Sequence, residues 1–314
     1  MTNTITKKIN KNNIPKAEGI IKKNYRLANL TWFKVGGSAE VFFIPKDKFD
    51  LIYFLKNLND KVPLKILGAG SNTLIRDGGI SGVTIHLAKN FSHIHYPNEN
   101  EIIVGGGLNC TKLSRESANK NIQGMEFFSG IPGTIGGAIK MNAGAYGHET
   151  SNILKKITTV NRYGKIKEYN KNQIRMGYRK TSIKKNEIII EALFKCEKGK
   201  KVSILQKITE LNKLRKKTQP VKLKTSGSTF KNPIKFKAWK LIKDSGCSNI
   251  KVGGARISSL HSNFIVNKGI ASAKDVEDLG KIIIDKVHKR FGIKLNWEIK
   301  IIGSKKHYRR YFNA

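Results

Sequence analysis

The stretch TSGSTFKNP (residues 225–233) sets Ser228 behind a glycine and ahead of an aromatic, a lysine and a turn-forming Asn-Pro pair. A hydroxyl in that setting can shape a turn, attack a substrate or deliver a proton. Attack needs a base beside the hydroxyl, and neither a GxSxG elbow nor a Ser-His-Asp arrangement accompanies Ser228. Two glycine-rich loops are the other chemically suggestive feature. LGAGSNTLIRDGG (67–79) places Gly68, Gly70, Ser71 and Asn72 at the end of an expected strand, where backbone N–H groups and small polar side chains can cradle a pyrophosphate. Alone it matches neither GxGxxG nor GxxxxGK[ST], and a tight turn explains it equally well. GMEFFSGIPGTIGGAIKMNAGAYGHE (124–149) is dense in glycine and nearly free of charge. Such a wall of bare main chain suits a large planar ligand with a phosphate tail. Together the loops point to a dinucleotide, and the lack of an acidic residue at the Rossmann position favours a flavin held by a different fold over a Rossmann NAD site.

The elements that must position these residues alternate. Strands are expected at 41–44, 64–67, 82–87 and 102–104, and helices at 47–58 and 111–119. ITTVNRYGKIKEY reads as a hairpin turning at 162–164, and EIIIEALF as a buried strand. A basic amphipathic helix over 202–217 stops before Pro220, which marks a domain boundary. Beyond it a smaller α+β unit is expected: a helix at 236–243, a strand at 264–266, a last strand at 295–302, and a long helix opening at Ser272. Ser272 with Asp275 forms a capping box, Val276, Leu279, Ile283 and Val287 make the apolar stripe, and Gly292 follows the end.

Composition bounds the rest. The chain has 314 residues, 39% of them hydrophobic, and reads as globular beyond a polar, basic start that lacks the apolar core of a signal peptide. No apolar run reaches the roughly 18 residues of a membrane span. Cys110, Cys196 and Cys247 are far apart and odd in number, which argues against a disulfide framework and fits a reducing cytoplasm. His93 and His95 form an HxH pair without a third ligand at useful spacing, so no metal site is expected. His261 and Cys247 read as packing residues. The 60 basic against 22 acidic residues give +38, which raises nucleic-acid binding as a rival function. The lysines are scattered among Ile and Asn with no focusing motif, so a general compositional bias explains the charge and no specific nucleic-acid partner is expected.

TWFKVGGSAE (31–40), LGAGSNTLIRDGGISG, EFFSGIPGTIGGAIKMNAGAYG, GYRKTS (177–182), GSTFKNP, AWKLIKDSGC, KVGGARISSLHSNFIVN and LNWEIKIIG follow one another between residues 27 and 303. In that combination the chain resembles the UDP-N-acetylenolpyruvoylglucosamine reductase family, in the subclass without a tyrosine-bearing loop. The resemblance implies an α+β fold, with a two-lobed FAD-binding domain of the vanillyl-alcohol-oxidase (PCMH) type followed by a smaller α+β substrate domain. The implied plan is a basic flexible tail (1–26), the FAD-binding domain (27–200), a connecting helix (201–219), the substrate-binding domain (220–303) and a second basic tail (304–314).

The activity implied is NADPH-dependent reduction of UDP-N-acetylglucosamine enolpyruvate to UDP-N-acetylmuramate through bound FAD, for peptidoglycan synthesis in the cytoplasm. Motif by motif, the resemblance carries catalysis onto Arg179, Ser228 and Glu298. Hydride addition leaves enolate-like charge for a guanidinium to stabilise. The other alkene carbon takes a proton from Ser228, with Lys231 and Arg179 favouring its alkoxide and Glu298 orienting Arg179 or sharing the charge. Candidates to hold FAD are Gly68, Gly70, Ser71, Asn72 and Leu74 in the first loop, and Gly130, Ile131, Pro132, Gly133, Thr134, Gly136, Gly137, Ala138, Asn142 and Gly144 in the second. Lys217, Lys231 and Asn232 are candidates for the UDP phosphates, and Tyr178 for the sugar. Ser182 lies three residues after Arg179, where the family commonly has a shorter spacing, which leaves its role open. An FAD-dependent sugar or lactone oxidase stays as an alternative; such proteins often carry a flavin-attaching histidine where this chain has Ser71 and Asn72.

Overall fold

The computed structural model describes residues 14–87 and 89–306; the outer parts of both expected tails, 1–13 and 307–314, lie outside the described residues. The α-helices are α1 (Lys48–Asn57), α2 (Cys110–Asn119), α3 (Ile135–Met141), α4 (Lys201–Thr218), α5 (Ala238–Asp244) and α6 (Ala273–Phe291). Among the described residues no helix is long and apolar enough to cross a membrane.

The chain packs into two compact units that are not consecutive in sequence. Among the described residues the first consists of 14–22, 41–69 and 82–217, and the second of 23–40, 70–81 and 218–306. Two short early segments thus cluster with the C-terminal third. Residues Ile20–Arg26, expected within a flexible tail, form the edge strand of a four-stranded sheet.

The first unit is built on a five-stranded antiparallel sheet in the order Ile166–Asn170, Leu154–Val160, Ile188–Lys195, Glu101–Gly105, Ile94–Asn98. Its central strand carries IIIEALFK, and neighbouring side chains point to opposite faces. Ile188 and Ile190 enter a core with Phe43, Phe54 and Leu55, whereas Ile189 and Phe194 enter one with Leu113, Phe128 and Ile139. Two-sided burial is why this strand reads as a continuous apolar run. α1 starts where the Asp47 carboxylate accepts the N–H groups of Phe49 and Asp50 at 2.8 and 2.9 Å. Leu64–Leu67 runs parallel to its neighbour from Val83 to His86 and ends directly at Gly68.

The second unit is organised by α6. Ser272 caps it in a reciprocal box with Asp275, and Gly292 ends it in the left-handed region. Val276, Leu279, Ile283 and Val287 are fully buried, contributing roughly 1.5–3 kcal/mol each. They pack against α5 and a three-stranded sheet ordered Lys251–Val252, Ala255–Ile257, Ile265–Asn267. Of the strand expected over 295–302, Lys300–Ile302 is regular and pairs in parallel with Thr73–Ile75.

Candidate active site

In the first unit the two glycine loops abut. A side chain at Gly68 would put its Cβ 2.8 Å from Thr134 Oγ1, so only bare main chain fits there. Thr134 caps α3, its hydroxyl accepting the Gly137 N–H at 3.4 Å. The loop before α3 is pinned by main-chain bonds: Cys110 N–H to Gly133 O, Ile135 N–H to Leu108 O and Gly136 N–H to Gly106 O, at 3.0, 2.9 and 2.8 Å. Thr134 thus ties the second loop to Gly68, and beside it Pro132 and Gly136 are half-buried and Gly137 is exposed. This arrangement fits a flavin dinucleotide, whose pyrophosphate and ring need close main-chain approach. Of the second-loop candidates, Asn142 has a structural duty: fully buried and left-handed (φ 41°), it donates Nδ2–H to Gly177 O at 3.3 Å and accepts the Ser151 N–H at 2.9 Å.

Arg179 sits in a two-residue hairpin that Asn142, after α3, reaches through Gly177 O. Met176–Gly177 and Lys180–Thr181 pair antiparallel, which makes Tyr178 and Arg179 the two turn residues. Arg179 takes φ 55°, a conformation costing about 1–2 kcal/mol for a residue with a Cβ. Its guanidinium lies over the exposed Tyr178 ring, 5.4 Å from the centroid. Ser182 closes the hairpin's base: its Oγ accepts the Arg175 N–H at 3.0 Å and its N–H donates to Arg175 O at 2.9 Å. That gives the serine a turn-building role. From α3, Lys140 Nζ donates to the carbonyls of Ile183 and Lys184, and Thr181 Oγ1 to Lys140 O. Burial lowers Lys140 to about 8. The glycine helix and the arginine hairpin are thus tied together by α3's own side chains.

A cavity of about 340 Å³ in this unit is lined by Thr111, Arg115, Ser129, Asn212, Arg215 and Lys216. The Ser129 hydroxyl is buried without a partner among the described residues, and burial lowers the pKa of Arg215. Tyr146 donates its hydroxyl to Leu211 O nearby on α4, at 3.0 Å. Sequence reasoning picked Lys217, which is exposed on α4. The readable signal was helix register, because Ile208, Asn212 and Arg215 share the face that Lys217 leaves.

The second unit holds Ser228 and Glu298 on paired segments. Phe230 bridges Trp297, Glu298 N–H donates to Thr229 O and Lys231 N–H to Asn296 O, both at 2.9 Å. Asn72, from the first loop, donates Nδ2–H to Glu298 O at 3.3 Å and accepts the Lys300 N–H at 2.9 Å, so loop residues set the register of the glutamate's strand. Gly70, Ser71, Asn72 and Leu74 belong to this unit, and Leu74 is wholly in its core. On its other side the serine segment is bulged. Lys224 lies opposite Asn267 and Thr229 bonds to Asn263 O, so five steps along one chain oppose four along the other. Gly227, at φ 80°, and Ser228 fall within the bulge, a device that re-aims a side chain. Asn232 Oδ1 accepts the Ala238 N–H at 2.9 Å at the start of α5, which gives it a loop-building part.

The same loop is anchored to α6. Arg76 forms a bidentate pair with Glu277, at 2.8 and 3.1 Å, and the Asp77 carboxylate accepts the Ala273 and Lys274 N–H groups at 2.9 Å each. His261 packs edge-on to Phe264 and its Nδ1 accepts the Asn263 N–H at 3.2 Å. In the first unit His93 Nε2 meets Glu191 Oε2 at 3.1 Å; among the described residues no group of three His, Cys, Asp or Glu could hold a metal ion.

Comparison with known proteins gives a consistent picture. Residues 219–302 match the model of the UDP-N-acetylenolpyruvoylglucosamine reductase C-terminal domain, and residues 39–170 match that of an FAD binding domain. The chain is 47% identical over 291 residues to a UDP-N-acetylenolpyruvoylglucosamine reductase of Rickettsia bellii (strain RML369-C), covering 93% of this chain and 96% of that one. It is 46% identical over 290 residues to the enzyme so named in Rickettsia typhi, covering 92% and 98%. The crystal structure of UDP-N-acetylenolpyruvylglucosamine reductase from Thermus caldophilus superimposes with a TM-score of 0.78 at 31% identity, covering 91% of this chain and 99% of that one.

Proposed function

The chain belongs to the UDP-N-acetylenolpyruvoylglucosamine reductase family of FAD-binding oxidoreductases, and from that premise we propose that it reduces UDP-N-acetylglucosamine enolpyruvate to UDP-N-acetylmuramate with electrons from NADPH. This reaction supplies peptidoglycan synthesis in the cytoplasm. The observation that carries the reading is the pairing of the Ser228 bulge with the Glu298 segment, joined by the Glu298 N–H to Thr229 O bond.

FAD, when bound, supplies the hydride. Gly68, Gly70, Ser71 and Asn72 of the first glycine loop and residues 130–138 of the second would hold it. The chain's own groups manage what the hydride leaves behind. Arg179 stabilises the negative charge that develops on the substrate's carboxylate side as the double bond is consumed. Ser228 gives its hydroxyl proton to the other alkene carbon, so the alkene gains one hydride and one proton and becomes the lactyl ether. Lys231, three residues along the same segment, lowers the cost of the momentary alkoxide, and Glu298 shares in stabilising the enol. Arg115, Arg215 and Lys216 around the Ser129 hydroxyl make a basic cavity that supports phosphate binding next to Lys217.

The test is direct. Purified protein should be yellow, release FAD on denaturation, and consume NADPH only when the enolpyruvyl UDP-sugar is added. Protein that cannot be loaded with FAD, or that takes up oxygen with simple sugars while ignoring the UDP-sugar, would overturn the reading.

A further inference from the structure

Ser228 lies where regular strand pairing fails. Gly227 turns the chain into the left-handed region and the bulge removes main-chain ladder bonds on the side facing residues 263–265. Side chains replace them. Thr225 Oγ1 donates to Ile265 O at 2.6 Å, and Thr229 Oγ1 accepts the Ile265 N–H at 3.2 Å. Asn263 does most: its main-chain O accepts the Thr229 N–H at 2.7 Å, its Oδ1 accepts the Phe230 N–H at 2.9 Å, and its Nδ2–H donates to Phe230 O at 2.8 Å. We infer that Asn263 is the positioning residue for Ser228, its carboxamide standing in for a strand neighbour and fixing the direction in which the bulge delivers the serine hydroxyl.

The chemistry favours an amide over other side chains. Phe230 presents one donor and one acceptor, and only Asn or Gln offers both complements in one plane. Asn263 is 4% exposed and Phe230 1% exposed, so neither main-chain group has water to fall back on, and an unmet group there is costly. On the opposite side Thr229 and Lys231 are held by the Glu298 and Asn296 main chain. Loss of the amide frees one side of the segment while the other stays paired, which lets the bulge and Ser228 pivot without unfolding the unit. Proton transfer needs hydrogen-bond reach, so a shift of about an ångström is enough to slow it. Asn263 also explains the HSNF motif: the Asn263 N–H is held by His261 Nδ1, and Phe264 supplies the packing beneath.

The inference rests on Ser228 being the proton donor, and rapid mixing of the FAD-loaded enzyme separates the two claims. Reduction of the flavin by NADPH is followed alone, then its reoxidation by the enolpyruvyl UDP-sugar, each in H2O and D2O. In Asn263→Ala the first half should stay within about twofold, while the second slows at least about tenfold and its solvent isotope effect rises. Asn263→Gln, which keeps both the donor and the acceptor in one plane, should recover part of the lost rate and carries the test where the alanine variant does not fold. Selective slowing of the second half by Ser228→Ala but not by either Asn263 variant would overturn the inference alone. Equal loss of both halves in the Asn263 variants, tracking lost FAD or a lower Tm, would overturn it in favour of plain structural support. Unselective behaviour of Ser228→Ala itself would remove the proton-donor premise and the inference with it.

Discussion

The outer edge of the Trp297 indole meets Gly280 of α6, so close that a Cβ at residue 280 would stand 1.9 Å from Cη2 of the ring. Trp297 in turn packs on Phe230, with ring centroids 5.0 Å apart. A helix glycine thus seats the aromatic that separates the serine segment from α6, one residue before Glu298. Gly280→Ala gains helix propensity yet should destabilise by about 1–3 kcal/mol through overpacking. Denaturant unfolding checks the sign: a variant more stable than the parent would contradict the contact.

Ser228→Ala should leave flavin reduction by NADPH nearly unchanged and lower turnover by roughly 10²–10⁴. Stopped-flow absorbance distinguishes this from general damage, which would depress both half-reactions.

Gly68→Ala should reduce FAD retention, because its methyl would collide with Thr134 Oγ1 where the two loops meet. The ratio of flavin to protein absorbance after gel filtration reports this. Full occupancy in the variant would place the cofactor away from that contact.

Lys140 should give the protein a distinctive alkaline response. Burial brings it to about 8 from the ordinary 10.5, so between these values the unfolded chain binds more protons and the contribution of Lys140 to stability rises with pH. Lys140→Met should flatten that rise, measured as unfolding midpoints at pH 8 and 10. An unchanged slope would mean that its bonds to the Ile183 and Lys184 carbonyls offset the burial.

Glu277 should govern the acid side. The Arg76 hydrogen bond holds its carboxyl below the ordinary 4.5, so the stability this pair contributes is present above that pH and is lost as pH falls through the lower folded value. Arg76→Ala should cost about 1–3 kcal/mol at neutral pH by stripping the carboxylate, 9% exposed, of its two short bonds and leaving it the 3.6 Å Lys281 contact. Glu277→Gln should reduce the loss of stability on acidification.

What could be read in advance follows from how local each signal is. The capping box at Ser272, the α6 stripe and the terminal Gly292 are complete within twenty-odd consecutive residues, and all appear as expected. Most strands were legible because alternation or an apolar run marked them. α3 was hidden, since its glycines favour coil and only the packing of the loops makes it helical. The hairpin of Arg179 was hidden too, having two residues per strand and a left-handed arginine that no propensity predicts. Arg215 lies on the cavity face of α4, which helix phase and not charge alone reveals. The roles of Asn72 and Asn263 depend on partners far away in sequence, which no window of residues reveals.

The makeup of the second unit bears on how the protein comes into being at the ribosome. Its core joins Phe33, Val35 and Leu74 to residues from Phe230 onward, and Asn72 meets Glu298 across a separation of 226 residues. Such distant pairings are slow to close and leave apolar surface waiting. The early segments must stay unburied until the Glu298 segment has been translated, whereas the sheet of the first unit can assemble once residue 195 has emerged. A chain truncated before Trp297 would keep a foldable first unit and an orphaned Leu74, a natural substrate for chaperones and proteases.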